Sequence, residues 1–281
     1  MKSKDVIIQI KFERESMEKQ LFAIFGNPVQ HSRSPLMHNH VFKKLHFSGC
    51  YSRILLQDGS HLKESFFAHR LSGANVTVPH KEAAFKACDE VRGFAKEIGV
   101  VNTLVNEKGR LIGYNTDADG FLFAIKEFDA LKDILIIGAG GTAKALAGKF
   151  KAEGFKVDVL NRSAPNLVYF KEAGFETYTW ETCPIRTYDL IVNTTSAGLS
   201  DEALPAPLAL LESLLEKSHY GADVIYGKET PFLRLCKQKQ LTCKDGADML
   251  LGQGVLSNAY FTDGKYPLEE IQRAMEESFL F

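Results

Sequence analysis

No charge of one sign dominates this chain: its 281 residues carry 34 lysines and arginines against 35 aspartates and glutamates, a formal net charge of -1. Without a basic excess there is nothing to neutralise a nucleic-acid backbone or an anionic bilayer, so neither is an expected partner. Long hydrophobic runs are missing as well. Leu21 to Phe25 and Ile134 to Ile137 fall far short of the roughly 20 apolar residues that span a membrane. The opening residues mix Lys2, Lys4, Lys11, Glu13, Arg14, Glu15 and Glu18 around a short Val6 to Ile10 run, without the apolar core or small-residue cleavage site of a secretory leader. Five cysteines (Cys50, Cys88, Cys183, Cys236, Cys243) include no C-x-x-C pair, and their odd number reads as reduced thiols rather than a disulfide framework. A soluble cytoplasmic protein is the expectation. With no internal repeat or low-complexity linker, and with 45% hydrophobic and 25% charged residues, disorder, collagen and coiled coil are excluded in favour of one large or two modest globular domains.

What is present is an alternation. From Leu21 onward, short apolar runs alternate with stretches of helical period, the mark of strand-helix units around a largely parallel sheet, hence an α/β fold. Strands are expected at Leu21 to Phe25, Tyr51 to Leu56, Ala74 to Val78, Ile134 to Ile137, Lys156 to Leu160, Leu190 to Asn193 and Ala222 to Tyr226. Helices are expected near 36–45, 61–71, 81–88, 119–128, 142–153, 207–217, 230–239, 247–262 and 267–279. Lys108-Gly109 between Val101 to Val105 and Leu111 to Tyr114 reads as a hairpin turn. A boundary is expected after Thr116, ahead of a fresh strand and a Gly-rich turn, and the last two helices are free to return to the first unit.

The strand Ile134 to Ile137 runs into Gly138-Ala139-Gly140-Gly141-Thr142-Ala143 and a helix, which is G-x-G-x-x-A in a strand-turn-helix setting. The first glycine permits the tight turn, the second lets a pyrophosphate approach the backbone, and a small third residue allows close helix packing, with the helix N-terminus facing the phosphates. A dinucleotide site follows; the bland alternative is a packing turn of small residues. At the end of the next strand, Asn161-Arg162-Ser163 supply a cation and no carboxylate, which favours NADP over NAD. Asp158 competes as a ribose acid only if that strand ends early.

Further polar groups gather at other strand ends. Ser32 and Ser34 follow the first strand; Ser34 before Pro35 has the form of an N-cap, whereas Ser32 lacks that explanation. Period-two alternation puts Asn75 and Thr77 on one strand face, with Lys81 at the next helix start. Asn102 and Asp117 complete the set, Asp117 also having the form of a helix N-cap. His38 and His40 are two apart on a helix and point to different faces, so they make no metal pair.

The segments G-N-P-V-Q-H-S-R-S-P, N-V-T-V-P-H-K, V-V-N-T, Y-N-T-D-A-D-G, G-A-G-G-T-A, N-R-S, N-T-T-S-A-G, Y-G-K-E-T-P-F-L and D-G-A-D-M-L-L-G-Q, in order from Leu21 to about Asn258, resemble the successive motifs of the shikimate dehydrogenase family. The resemblance implies NADP-dependent interconversion of shikimate and 3-dehydroshikimate, on the way to chorismate and the aromatic amino acids, in a cleft between two α/β domains. It implies a substrate domain of residues 1–117 and 246–281 and a Rossmann-type NADP domain of residues 118–245, in a monomer or homodimer. Lys81 and Asp117 match the catalytic pair; Ser32, Ser34, Asn75, Thr77, Asn102, Tyr226 and Gln253 match substrate contacts. Gly138, Ala139, Gly140, Gly141, Thr142, Ala143, Asn161, Arg162 and Ser163 match cofactor contacts, with Thr194, Ser196, Val224 and Gly246 beside the nicotinamide. No metal is implied. Alternatives are a quinate/shikimate dehydrogenase using NAD or NADP, and a sensor that binds a shikimate-like ligand without turnover. Three departures stand out: no second cation follows Arg162, His80 replaces a more usual aromatic residue, and Asp248 replaces a usual glycine. Asp248 is expected to cap a helix beginning at Met249. Residues 1–20 match none of the motifs.

Overall fold

The computed structural model describes residues 19–281; most of the unmatched N-terminal stretch lies outside them. The first sheet contains β1 (Gln20–Gly26), β2 (Gly49–Leu55), β3 (Gly73–Val76), β4 (Glu90–Val91), β5 (Thr103–Glu107) and β6 (Arg110–Tyr114), in the order β2-β1-β3-β5-β6-β4. β1 runs parallel to β2 and β3, whereas β5 runs antiparallel to β3 and β6. Helices α1 (Ser34–Lys44), α2 (Leu62–Ala68), α3 (Lys81–Ala87) and α4 (Ala95–Ile98) belong to this part of the chain. Both faces of β1 are buried: Phe22 and Ile24 pack with Phe42, Tyr51 and Phe261, while Ala23 and Phe25 pack with Leu62, Phe66 and Leu104. That explains why the strand reads as a continuous apolar run.

The second sheet contains β7 (Asp133–Ile137), β8 (Lys156–Leu160), β9 (Glu176–Tyr178), β10 (Leu190–Asn193), β11 (Tyr220–Asp223) and β12 (Thr242–Lys244). It is parallel throughout, ordered β12-β11-β10-β7-β8-β9, the doubly wound arrangement of dinucleotide-binding folds. Helices α5 (Asp117–Ile125), α6 (Gly141–Ala152), α7 (Val168–Glu172), α8 (Leu208–Leu215) and α9 (Pro231–Gln238) accompany it. Ile134, Ile136 and Val159 pack with Leu146 and Phe150 on one face, and Leu135 and Ile137 with Leu211 and Phe232 on the other. Each such fully buried side chain contributes about 1.5–3 kcal/mol of transfer free energy. The last helices, α10 (Ala247–Phe261) and α11 (Leu268–Glu277), pack back on α1 through Met37, Val41, Val255, Ile271 and Met275.

Three expected strand ends move inward. β3 stops at Val76 because Thr77 carbonyl accepts the His80 N–H (3.0 Å) and Pro79 has no N–H to continue the ladder. β11 stops at Asp223, whose Oδ1 accepts the Ile225 N–H (3.0 Å) and turns the chain before Tyr226. In the hairpin, β5 begins at Thr103 rather than Val101, whose N–H is taken by the Lys81 carbonyl (3.1 Å).

Candidate active site between the two sheets

The Gly-rich turn lies where the strand order of the second sheet reverses: β8 lies on one side of β7 and β10 on the other, with Ile137 opposite Asn193. Gly138 has φ +118°, and a Cβ there would lie 2.5 Å from Thr194 Oγ1, so both conformation and space demand glycine. Gly140 precedes α6, and the position of its missing Cβ is open on all sides within 4 Å, which is room for a ligand at the helix N-terminus. Ala143 is fully buried in the core, and Ala139 packs at its margin.

Successive carboxyl ends of this sheet bring Thr194, Val224 and Gly246 together. Thr194, after β10, donates its hydroxyl to the Ile137 carbonyl (2.8 Å), and Val224, after β11, donates its N–H to the Asn193 carbonyl (3.1 Å). A Cβ on Gly246, after β12, would lie 2.2 Å from the Val224 carbonyl oxygen, so only glycine fits. Ser196 is exposed on the same loop as Thr194. Behind them, buried Asp223 accepts from Asn193 Nδ2 (2.9 Å) and Thr230 Oγ1 (2.7 Å); burial pushes its carboxyl above the usual range.

At the end of β8, Asn161 Nδ2 donates to the Ser163 carbonyl (3.0 Å), which shapes the turn and leaves Arg162 exposed, without ion pair or side-chain hydrogen bond among the described residues. Asp158 does not compete: it is 1% exposed inside the strand, and its Oδ2 accepts from Arg186 Nη2 and the Tyr188 hydroxyl, both at 2.8 Å.

On the facing side, Lys81 opens α3 and Asp117 opens α5, and the two side chains form an ion pair, 12% and 8% exposed. Lys81 Nζ also donates to Thr142 Oγ1 of the Gly-rich turn at 3.1 Å, so the pair bridges the two sheets. Asn102 Nδ2 donates to Asp117 Oδ1 at 2.8 Å. Asp117 is therefore no N-cap; that place is held by Thr116, and the carboxylate turns inward.

Ser32 and Ser34 are both buried, and Ser32 Oγ donates to Ser34 Oγ at 3.2 Å. Ser34 is the first residue of α1 rather than its cap, and its N–H reaches Ser32 Oγ at 3.3 Å, so the capping contact belongs to Ser32. Arg53 Nε holds the Ser32 carbonyl at 3.1 Å. Tyr226 is half-buried facing Arg33 and Arg53; burial pushes its phenol up, and contact with the Arg33 backbone and both positive charges pull it back. Thr77 lies just past β3 against Gly26, where a Cβ would meet Thr77 Cγ2 at 2.4 Å. Gln253 sits on α10, its Nε2 donating to the Leu250 carbonyl at 2.9 Å. Asn75 is bonded within the protein: its Oδ1 accepts from the Tyr51 hydroxyl (2.7 Å) and its Nδ2 donates to Ser257 Oγ (2.9 Å), both buried. Tyr51 and Ser257 carried no motif signal.

Asp248 departs from expectation. α10 begins at Ala247, so Asp248 lies inside the first turn and pairs with Lys244 Nζ at 2.8 Å, while Asp245 Oδ1 accepts the Ala247 N–H at 3.1 Å. The N-cap position is Gly246. His80 is buried, its Nε2 2.7 Å from the Leu56 carbonyl. His38 is buried and stacked on Tyr51, whereas His40 faces Glu277. Among the described residues no acidic, histidine and cysteine groups cluster to hold a metal. A cavity of about 990 Å³ lined by Gln20, Ser72, Asn106, Tyr114 and Tyr260 opens at the far end of the first sheet and includes none of the predicted site residues.

These features define the class: two α/β sheets joined where a lysine–aspartate pair of the first meets the Gly-rich turn of a dinucleotide-binding fold in the second. A family profile described as the shikimate dehydrogenase substrate binding domain matches residues 24–104. The shikimate dehydrogenase (NADP(+)) of Helicobacter hepaticus is 48% identical over 92% of this chain and 97% of its own length. That of Helicobacter pylori is 44% identical over 94% and 100%. Among solved structures, the Thermus thermophilus shikimate 5-dehydrogenase in complex with NADP(H) and shikimate superposes with a TM-score of 0.79, at 35% identity over 92% of this chain and 99% of that one. The chain belongs to the shikimate dehydrogenase family. No helix among the described residues is long and apolar enough to cross a membrane.

Proposed function

We propose that this protein interconverts shikimate and 3-dehydroshikimate with NADP(H), in the cytoplasm, with Lys81 as the acid–base group and Asp117 orienting it. The observation that carries this reading is the Lys81–Asp117 pair lying against Thr142 of the Gly-rich turn, because it puts a proton carrier beside the seat of a hydride carrier. When bound, NADP+ supplies the acceptor for the hydride that leaves the alcohol carbon. The chain does the rest. Lys81 Nζ takes the hydroxyl proton on oxidation and returns it on reduction, and Asp117 balances its charge and fixes its direction. Ser32 and Ser34 are proposed to hold the substrate's carboxylate, with Tyr226 at the same end, and Thr77, Asn102 and Gln253 its hydroxyls. Asn75, with its amide committed to Tyr51 and Ser257, is proposed to support that wall rather than to touch substrate.

The residues present suit the cofactor. The open space at Gly140 suits a pyrophosphate on the α6 N-terminus, with Ala139, Gly141 and Thr142 around it, and exposed Arg162 between Asn161 and Ser163 suits the 2′-phosphate. Thr194, Ser196, Val224 and Gly246 are proposed to line the nicotinamide pocket. We further propose a substrate domain of residues 1–117 and 246–281 and a cofactor domain of residues 118–245. Following the reduced-nicotinamide absorbance with shikimate and quinate, each against NADP and NAD, tests the reading. Shikimate with NADP should give the highest kcat/KM, and absence of shikimate-dependent reduction in folded protein refutes it.

A further inference from the structure

Asn102 directs Asp117, and Asn102 is itself held by groups that never touch Lys81. Its Oδ1 accepts the Thr116 backbone N–H at 2.8 Å, and because that N–H can only donate, the atom facing it is the oxygen. Oδ1 also accepts from Thr103 Oγ1 at 3.0 Å. Each hydroxyl has a single proton to give. In the arrangement where Thr103 gives its proton to Asn102, Ser257 donates across the 2.9 Å contact to Thr103 Oγ1. In the same arrangement Thr116 donates across the 3.1 Å contact to Ser257 and accepts from Asn102 Nδ2 at 3.0 Å, the shorter choice over Asn102 Oδ1 and Thr103 Oγ1, each 3.3 Å away. With these shortest contacts the donors run one way around a closed ring, from Asn102 Nδ2 through Thr116, Ser257 and Thr103 back to Asn102 Oδ1. Asn75 Nδ2 donates to Ser257 Oγ at 2.9 Å, which agrees with a serine oxygen that has given its proton away. The ring is buried: Ser257 and Thr103 are 0% exposed, Asn102 and Thr116 2%. Bonds in such a buried cycle polarise one another.

We propose that Ser257 is a positioning residue of the active site: by closing this ring it holds the Asn102 amide with Nδ2 toward Asp117, and through Asp117 it fixes Lys81. Without Ser257, the Thr116 hydroxyl is left with only the longer contacts to Asn102 Oδ1 and Thr103 Oγ1, each 3.3 Å away, and the arm holding Nδ2 is loosened. The inference rests on the reading of Lys81 and Asp117 as the acid–base pair, and its test therefore has one arm that needs no turnover.

The variants are Ser257→Ala, Thr116→Val and the double substitution. Both single variants should fold and lower kcat roughly tenfold to a hundredfold, since displacement at a reacting group by about 1 Å costs up to the larger factor, and KM for shikimate should rise as well because Asn102 is also a proposed substrate contact. The double variant should be no slower than the slower single one, because either change opens the same ring. In ¹⁵N spectra of the free protein, the Asn102 side-chain amide protons should exchange slowly in the wild type and markedly faster in Ser257→Ala. A residue that merely fills space would lower the melting temperature without altering kcat or that amide. Wild-type kcat in folded Ser257→Ala, multiplicative losses in the double variant, or an unaltered Asn102 amide would each overturn the proposal. If Ser257→Ala does not fold, Thr116→Val decides by the same kcat and amide criteria. A wild type that turns nothing over would overturn the functional reading instead, and the amide comparison would still judge the ring.

Discussion

Arg162→Ala separates the two cofactors, and its size follows from where the guanidinium lies. Arg162 is exposed at the end of β8, and Ser163, Ala164 and Pro165 bring no second cation beside it. A charge-assisted hydrogen bond contributes about 1.5–3 kcal/mol. Exposure lets water and salt screen this one, so the lower end applies. About 1.5 kcal/mol is roughly tenfold in affinity. NADP dissociation, measured by calorimetry or by quenching of protein fluorescence, should therefore weaken about tenfold in the variant. NAD has no 2′-phosphate, and its affinity should stay within error. Raising ionic strength should weaken NADP binding to the wild type more steeply than to Arg162→Ala, because the variant has lost the screened contact. Arg162→Lys should fall between, keeping the charge without the planar fork. With a single cation, the wild-type preference for NADP is finite, and NAD activity should be measurable at high concentration. An unchanged NADP affinity in folded Arg162→Ala would place the phosphate elsewhere and refute the reasoning.

Lys81→Ala and Asp117→Asn should each lower kcat by about a hundredfold or more with smaller effects on shikimate binding, read by steady-state kinetics and equilibrium titration. Asp158→Asn should destabilise folding by about 1.5–3 kcal/mol, because a buried carboxylate loses charge-assisted bonds to Arg186 and Tyr188. Its ratio of NADP to NAD affinity should match the wild type, and a shifted ratio would reinstate Asp158 as a cofactor contact. Burial lowers the His38 pKa to about 3. Between about pH 6.5 and 3 the unfolded chain therefore binds a proton at His38 that the folded chain refuses, so stability should fall as pH drops through that window. The slope is up to about 1.4 kcal/mol per pH unit. Replacing His38 by Phe should remove that share of the slope in denaturant midpoints measured across the range.

The second sheet was legible wherever burial on both faces made an unbroken apolar run, as in Ile134 to Ile137 and Leu190 to Asn193, whose limits were read to within a residue. Short edge strands were not: Glu90–Val91, Glu176–Tyr178 and Thr242–Lys244 are too brief and too polar to show a period. The Gly-rich turn was legible because its chemistry is written in consecutive residues. Asp248 was misread because a cap depends on which residue begins the helix, and one at Ala247 rather than Met249 moves Asp248 from cap to first turn. Asn75 shows a different limit. Period two gave its strand face, but whether an amide meets ligand or protein depends on partners such as Tyr51 and Ser257, which lie far away in the chain.

The same limit explains why α10 matters more than its sequence suggests. A Cβ on Gly120 of α5 would lie 2.5 Å from the Gln253 N, and one on Gly252 of α10 would lie 2.9 Å from the Gly120 Cα, so the two helices cross in backbone contact. That spacing is set by glycines, which no polar motif marks. α5 begins with Asp117, and α10 carries Gln253 at the crossing and Ser257 one turn later, on the same side of the helix. The close approach is thus what lets a hydroxyl from the end of the chain complete a ring around Asn102 and reach, through it, a carboxylate from the middle. Lys81 comes from a third element, the start of α3, and its contact with Thr142 adds a fourth. Four elements distant in sequence must therefore be packed before the amine, carboxylate and cofactor seat face one another. In this fold, the geometry available for proton transfer is a property of helix packing as much as of the Lys81 and Asp117 side chains.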